Sequence, residues 1–148
     1  MNRQIEDYLR ARGVQYFRGH HDDEYFFLVD FLAGAYRGRL NVHLQVCDGE
    51  ADAVLVTISP DRYYPAEKAE WLSTLADRWN AEDPAVRAVV HGSCDPHLVG
   101  VQARSRNRPA DLAALTGFVD AAVAAGIDLF GRMAVAAIPA SNNLRDAG

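Results

Sequence analysis

The sequence predicts an α+β fold, an antiparallel sheet with its helices on one face, in the element order α-β-β-β-α-β-β-α. Two runs of strand-like segments are each joined by short turns, so the strands do not alternate one by one with helices. A long segment with apolar residues at three- and four-residue spacing follows each run and predicts a helix. The chain has 148 residues, which fits one domain with a sizeable core.

The N-terminal segment predicts a short helix over residues 3–12. Ile5, Tyr8 and Leu9 fall at helical spacing and form one apolar face. Gly13 follows the last turn, where helices commonly end. A helix this short needs to dock on the rest of the protein in order to persist.

Three segments predict an antiparallel meander of strands. Residues 24–32 are apolar on both faces except at Asp30, so this strand is expected to be central or covered on both sides. Residues 39–47 alternate strictly, which predicts one buried face and one polar face. Residues 52–59 form the returning strand, and residues 14–18 could add a brief strand before the meander. The buried positions of the alternating strand are Leu40, Val42, Leu44 and Val46, and its polar positions are Asn41, His43, Gln45 and Cys47.

A second helix and two more strands follow the meander. Pro65 suits the first turn of an amphipathic helix that ends near residues 80–83, and Pro84 marks the stop. Residues 85–91 and 97–105 then predict two strands on either side of a turn.

The C-terminal part predicts a last helix and a tail. Pro109 opens the helix, and Gly126 and Asp128 could interrupt it. The polar composition of residues 139–148 predicts a disordered tail. Residues 3–138 are therefore expected to form a single domain.

Composition and charge narrow the class of protein. The formal net charge is −5 and the isoelectric point is about 5.4, so nucleic-acid binding is not expected. Two cysteines are too few for a disulfide scaffold, and the charged N-terminus has no secretory signal, which indicates a cytoplasmic protein. The apolar stretches are interpreted as too short for a membrane span of about 20 residues. One short basic run, expected to be a solvated strand end, consists of Arg104, Arg106 and Arg108.

The stretch HGSCDPH, residues 91–97, allows two interpretations. Glycine, serine, aspartate and proline are the types that a hairpin turn selects, and they favour a turn. His91, Cys94 and His97 could alternatively bind a metal, which would make the protein a metal sensor or a metal-dependent enzyme. Paired ligands at zinc-site spacing do not occur in the sequence. The stretch HHDDE, residues 20–24, is expected to be a solvated loop because adjacent residues rarely converge on one ion.

Searches for catalytic patterns return no nucleophile elbow, zinc-protease or nucleotide-binding motif. The sequence therefore predicts a non-enzymatic protein without a cofactor, and a metal site is not expected. Asn41, His43 and Gln45 on the polar strand face are candidate partner-binding residues. Trp71 lies beside the apolar stripe of the second helix, where it could form an interface or pack under the loop at residues 63–64.

The order and spacing of several segments resemble those of the YbjN family, a bacterial group whose fold is similar to type III secretion chaperones. The resemblance covers about residues 3–137, including Asn80, which matches an asparagine typical of the family near the end of the second helix. Asp95-Pro96 departs from the glycine that many members place after the aspartate of the last hairpin, so the turn differs locally. The matching segments are DEYFFLVDF, RLNVHLQV, AVLVTIS, LADRWNAED, HLVGVQAR and RPADLAAL.

The resemblance implies function only in broad terms. Family members are labelled sensory-transduction regulators, and the family implies no catalytic residues and no cofactor. The chaperone-like fold suggests a homodimer that binds a partner polypeptide, although the fold does not name that partner.

Overall fold

The computed structural model describes the backbone of residues 1–20, 23–47 and 53–147, and the side chains of these residues up to Ala134. The elements confirm the α+β class. The helices are α1 (Asn2–Arg12), α2 (Ala69–Ala81), which follows a 3-10 turn at Ala66–Lys68, and α3 (Leu112–Ala147). The strands are β1 (Tyr16–Arg18), β2 (Glu24–Ala33), β3 (Tyr36–Val46), β4 (Val54–Pro60), β5 (Tyr64–Pro65), β6 (Arg87–Gly92) and β7 (Leu98–Asn107).

All seven strands join one antiparallel sheet. Its order is β1-β2-β3-β4-β7-β5, and β6 pairs with the other edge of β7. The predicted meander is confirmed, because β2 pairs with β3 and β3 pairs with β4. Compared with the predicted order α-β-β-β-α-β-β-α, the structure adds β1, which the sequence offered as an option, and the two-residue β5.

One face of the sheet forms the core with the helices. The alternation predicted for β3 is confirmed at Leu40, Val42 and Leu44, which are fully buried, whereas Val46, also predicted to be buried, is only partly buried. Helix α3 packs on β2, β3, β4 and β7, α2 packs on β6, and α1 packs against α3. Ile58, Ala103 and Ala88 lie opposite one another across β4, β7 and β6, which continues this inner face from one end of the sheet to the other.

Side-chain pairs fix the first helix on the last. The Tyr8 hydroxyl donates to Asp120 Oδ1 at 2.8 Å, and Arg12 forms an ion pair with the same carboxylate. Burial and this hydrogen bond raise the pKa of Tyr8 well above its usual range. Helix α1 ends at Gly13 in the left-handed conformation, as its position in the sequence predicts.

Helix α3 is continuous, although the sequence suggested an interruption at Gly126. A β-carbon at Gly126 would lie 3.0 Å from Ile58 Cδ1, so the glycine permits close approach of helix and sheet. The helix begins with a cap, because Asp111 Oδ1 accepts a hydrogen bond from the Ala114 N–H at 2.8 Å. The helical backbone continues to Ala147, through most of the stretch for which the composition predicts a disordered tail.

Residues Leu112–Ala134 of α3 are long and apolar enough to cross a membrane, by length and composition alone. An 18-residue window within this stretch has a mean hydropathy of 1.6, so the prediction that no apolar stretch reaches this length is wrong. Core helices also meet this criterion. In this protein Leu115, Val119, Phe130 and Met133 on the same helix are buried in the core, and 28% of the apolar window is buried.

The end of α2 closes part of a sheet edge. Among the described residues β6 pairs only with β7, so its other side presents backbone groups. The Asn80 side chain donates to the Ala88 carbonyl at 2.9 Å and accepts from the Ala88 N–H at 2.8 Å. Trp79 Nε1 donates to the Val86 carbonyl at 2.9 Å. Two adjacent helix residues therefore take the place of a neighbouring strand.

Candidate functional site

The sheet face opposite the helices is the candidate site, and we call it the open face. Because side chains alternate along a strand, it carries the positions that do not point into the core. Three large apolar side chains are exposed on it, with 55% exposure for Phe17, 48% for Leu28 and 67% for Leu32. The strand at residues 24–32, predicted to be central or covered on both sides, is central, because it lies between β1 and β3, but its outer face is not covered.

A single row of cross-strand neighbours spans the open face, and the side chains at its two ends differ in chemical type. Aromatic side chains stand at the β1 and β2 end, polar side chains in the middle, and arginines at the β7 and β6 end. In order across the sheet, the row consists of Phe17, Phe26, His43, Thr57, Arg104 and Arg87. We refer to these six residues as the central row.

His43 occupies the middle of the central row and is held by two neighbours. Its ring stacks on Phe26 at a centroid distance of 4.5 Å and an interplanar angle of 10°. Its Nε2 lies 3.4 Å from Glu24 Oε2, within ion-pair distance, although the geometry does not make a hydrogen bond. His43 is half-buried, with 23% of its side chain exposed, whereas its polar neighbour Asn41 is exposed.

Three of the predicted partner-binding residues lie together on the open face. Asn41, His43 and Gln45 follow one another along β3, beside Leu28 and Phe26 of β2. They form a polar strip next to the exposed apolar side chains.

Trp71 is the exception among the predicted residues. It lies on α2, on the helical side of the sheet, where it is half-buried and packs against the core. Lys68 Nζ lies 5.4 Å from its ring centroid, close enough for a cation–π contact. Trp71 therefore belongs to a different surface from Asn41, His43 and Gln45.

Sequence reasoning anticipated only part of the arginines of the open face: it placed Arg104 and Arg106 at a solvated strand end and did not single out the others. Arg87 and Arg104 lie directly opposite each other on β6 and β7, although like charges in this position are unfavourable. Leu28 and Leu32 were missed for another reason, since an apolar residue within a strand is usually a core residue. Each arginine occupies an outward alternating position of its strand, and the full set is Arg37, Arg39, Arg87, Arg104 and Arg106.

A groove of about 820 Å³ opens at the end of the β2–β3 hairpin. Leu32 and Phe31 supply apolar lining, and Arg37 lies opposite Leu32 in the strand register. Arg39 Nε donates to Asp30 Oδ1 at 2.9 Å, so this arginine is already neutralised by a carboxylate. The groove extends the apolar part of the open face along β2.

The stretch at residues 91–97 adopts a turn held by its own side chains. The Ser93 hydroxyl lies within hydrogen-bonding distance of the Leu98 carbonyl oxygen, at 2.9 Å. Asp95 Oδ1 accepts a hydrogen bond from the His97 N–H, also at 2.9 Å. Cys94 is exposed. No group of three metal-ligating side chains occurs among the residues whose side chains the structure describes. For residues 20–24, His21 and Asp22 lie outside the described residues.

Comparisons with known proteins add no family assignment to this geometry. No protein-family model matches the chain, and no curated protein matches it at significant similarity. The resemblance to the YbjN family therefore stays a prediction. The exposed side chains of the open face are the features from which a function can be inferred.

Proposed function

We propose that the protein is a non-enzymatic, cytoplasmic interaction domain of the YbjN type that binds a partner polypeptide through its open face. The observation that carries this proposal is the joint exposure of Phe17, Leu28 and Leu32 on one face of a sheet. Phe17 and Leu28 both neighbour Phe26, and Leu32 lies beyond Asp30 on the same face of β2. Exposed apolar side chains that group on one surface tend to mark interaction sites.

The chemistry of the open face suits binding. Full burial of a leucine or phenylalanine side chain contributes about 1.5–3 kcal/mol, so three such anchors could drive association. Asn41 and Gln45 supply donors and acceptors beside the anchors, as the polar part of a protein interface commonly does. His43 is stacked on Phe26 and lies next to Glu24, an arrangement that suits a structural and recognition role.

A capture experiment with two matched variants tests this proposal. Leu28→Asp places a charge on the open face, whereas Leu112→Asp places the same charge at the start of α3, where Leu112 is 39% exposed. Both variants are expected to keep the circular dichroism spectrum of the parent. Tagged parent protein and Leu112→Asp should capture the same partner from an extract of the native host, and Leu28→Asp should lose it. Equal capture by all three proteins would disprove a role for the open face.

We also propose that the protein is a chaperone-like homodimer with α2 at the contact. Support comes from the resemblance and from the frequency of two-fold symmetry among oligomers. Trp71 on α2 retains part of its aromatic surface. Light scattering should give twice the mass of one chain for the parent and one chain for Trp71→Glu. A monomeric parent at high micromolar concentration would contradict the dimer, and a dimeric Trp71→Glu would move the contact to another surface.

A further inference from the structure

We infer that the partner segment is a polypeptide with an apolar residue at one end and acidic residues at the other, and that it crosses the strands along the central row. This inference rests on the proposed function, because it names the kind of partner that the open face would bind. It depends on the chemical difference between the two ends of the row, Phe17 and Arg87.

The arginine end of the row has a charge that the described residues do not balance. Arg87 makes no ion pair within the part of the chain whose side chains are described, and Arg104 donates to the uncharged Gln102 Oε1 at 2.9 Å. The two guanidinium groups lie opposite each other in the register, so each raises the electrostatic cost of the other. A carboxylate placed between them would relieve this repulsion and accept charge-assisted hydrogen bonds.

The positive charge is local to the open face. Three described carboxylates lie at the open face: Glu24 beside His43, Asp30 paired with Arg39, and Asp61 in the lining of the groove. The chain as a whole has a formal net charge of −5, so the residues outside the open face carry a net negative charge. An acidic segment is therefore attracted to the arginine end of the open face more than to the chain as a whole, which favours binding there.

The apolar end of the row sets the other requirement. Phe17 is 55% exposed, and Leu28 lies beside Phe26 on the same face of β2. The row crosses five strand-to-strand intervals of about 4.8 Å, or roughly 24 Å in all. An extended chain advances about 3.3 Å per residue. The apolar and acidic residues of the partner should therefore be about seven positions apart.

A polypeptide fits these observations better than a nucleic acid. Arginines and exposed aromatic side chains on a sheet could also bind a single strand by stacking. A phosphate backbone, however, carries one charge per nucleotide and would be repelled by the acidic remainder of this chain. A segment with a few carboxylates at one end matches the arginine end of the central row, where Arg87 and Arg104 lie opposite each other.

Fluorescence anisotropy with synthetic peptides of about 12 residues tests the inference. The first peptide carries phenylalanine and leucine near one end and three glutamates about seven positions away, joined by serine and threonine. In a second peptide lysines replace the glutamates, and the third probe is an oligothymidylate of similar length. The first peptide is expected to bind, and the lysine peptide should bind at least tenfold more weakly.

Variants of the protein locate the site. Arg104→Glu and Arg87→Glu should each weaken binding of the glutamate peptide by about tenfold. Arg3→Glu is the matched control, since Arg3 is exposed on α1 and gives the same change in net charge. It should alter the affinity less than about twofold. An equal loss in Arg3→Glu and Arg104→Glu would show a general field effect and overturn the site.

The remaining outcomes separate this inference from the proposed function. A lysine peptide that binds as tightly as the glutamate peptide, and is lost in Leu28→Asp, would refute the acidic partner while supporting the open face as a binding surface. Tighter binding of the oligothymidylate than of the glutamate peptide would refute a polypeptide partner. Failure of the glutamate peptide to bind the parent protein would refute the inference, whatever the capture experiment gives.

Discussion

Replacement of Asn80 tests how α2 closes the edge of the sheet. Asn80→Ala removes one hydrogen bond to the Ala88 carbonyl and one from the Ala88 N–H, at 2.9 and 2.8 Å. Each neutral hydrogen bond contributes about 1 kcal/mol net. Alanine favours the helix by up to about 0.7 kcal/mol and offsets part of the loss. The free energy of unfolding should therefore fall by about 1–2 kcal/mol.

Urea titration followed by circular dichroism measures this change, which corresponds to a decrease of about 2–8 °C in Tm for a chain of this size. Ser73→Ala, at an exposed position of the same helix, is the control and should stay within about 0.5 kcal/mol of the parent. Asn80→Asp keeps the acceptor for the Ala88 N–H and loses the donor. The free energy of unfolding that Asn80→Asp loses relative to the parent at neutral pH should become smaller as the pH falls below about 4, where the carboxyl group is protonated and can donate a hydrogen bond. An Asn80→Ala protein as stable as the parent would refute the role of this contact.

The remaining predictions concern the core, the hairpin and alkaline pH. Leu44→Ala should cost about 2–5 kcal/mol in a urea titration, because Leu44 is fully buried. His43→Ala should cost about 1 kcal/mol, since it loses a stacking contact, and equal costs would contradict the register. Changing His91 and His97 together to Asn should leave Tm within about 2 °C by scanning fluorimetry, and a large drop with zinc-dependent stability of the parent would contradict the turn. Burial and a hydrogen bond to Glu6 raise the pKa of Tyr25 from 10.0 to about 12. As the pH rises above 10 the unfolded state loses this proton before the folded state does, so the free energy of unfolding should fall between pH 10 and pH 12. The fall should be smaller in Tyr25→Phe, and urea titrations across this pH range measure both.

The alternation in β3 was sufficient to predict which face of that strand is buried, although Val46 near its end is only partly buried. A half-buried strand repeats every two residues, so Leu40 and Leu44 could be placed in the core and Asn41 on the other face without knowledge of the fold. The apolar spacing of α2 was also informative, since Leu72, Ala76 and Trp79 are buried, whereas Leu75 of the same predicted stripe is only partly buried. Local periodicity contains this information because each element needs one apolar face.

The parts that sequence reasoning missed depend on tertiary packing. Leu28 and Leu32 have the residue type of a core position, and they are exposed because all three helices pack on the opposite face. Arg87 and Arg104 are 17 positions apart, and only the β6–β7 register brings them opposite each other. Tertiary packing also explains Gly126: a glycine inside a helix usually weakens it, but here the helix continues through Gly126, where it packs closely on Ile58.

The protection of the sheet edges makes the open face the surface best placed to receive a partner. An exposed sheet edge offers backbone groups to any extended chain, and proteins reduce this by shortening or covering edge strands. Here β1 has three residues, and Asn80 and Trp79 occupy the first part of the β6 edge. Strand addition along these edges is thereby restricted, whereas the open face retains exposed Phe17, Leu28 and Leu32 beside its arginines. A partner would then be recognised by side chains across the sheet, and its sequence, more than its capacity to form a strand, would decide whether it binds.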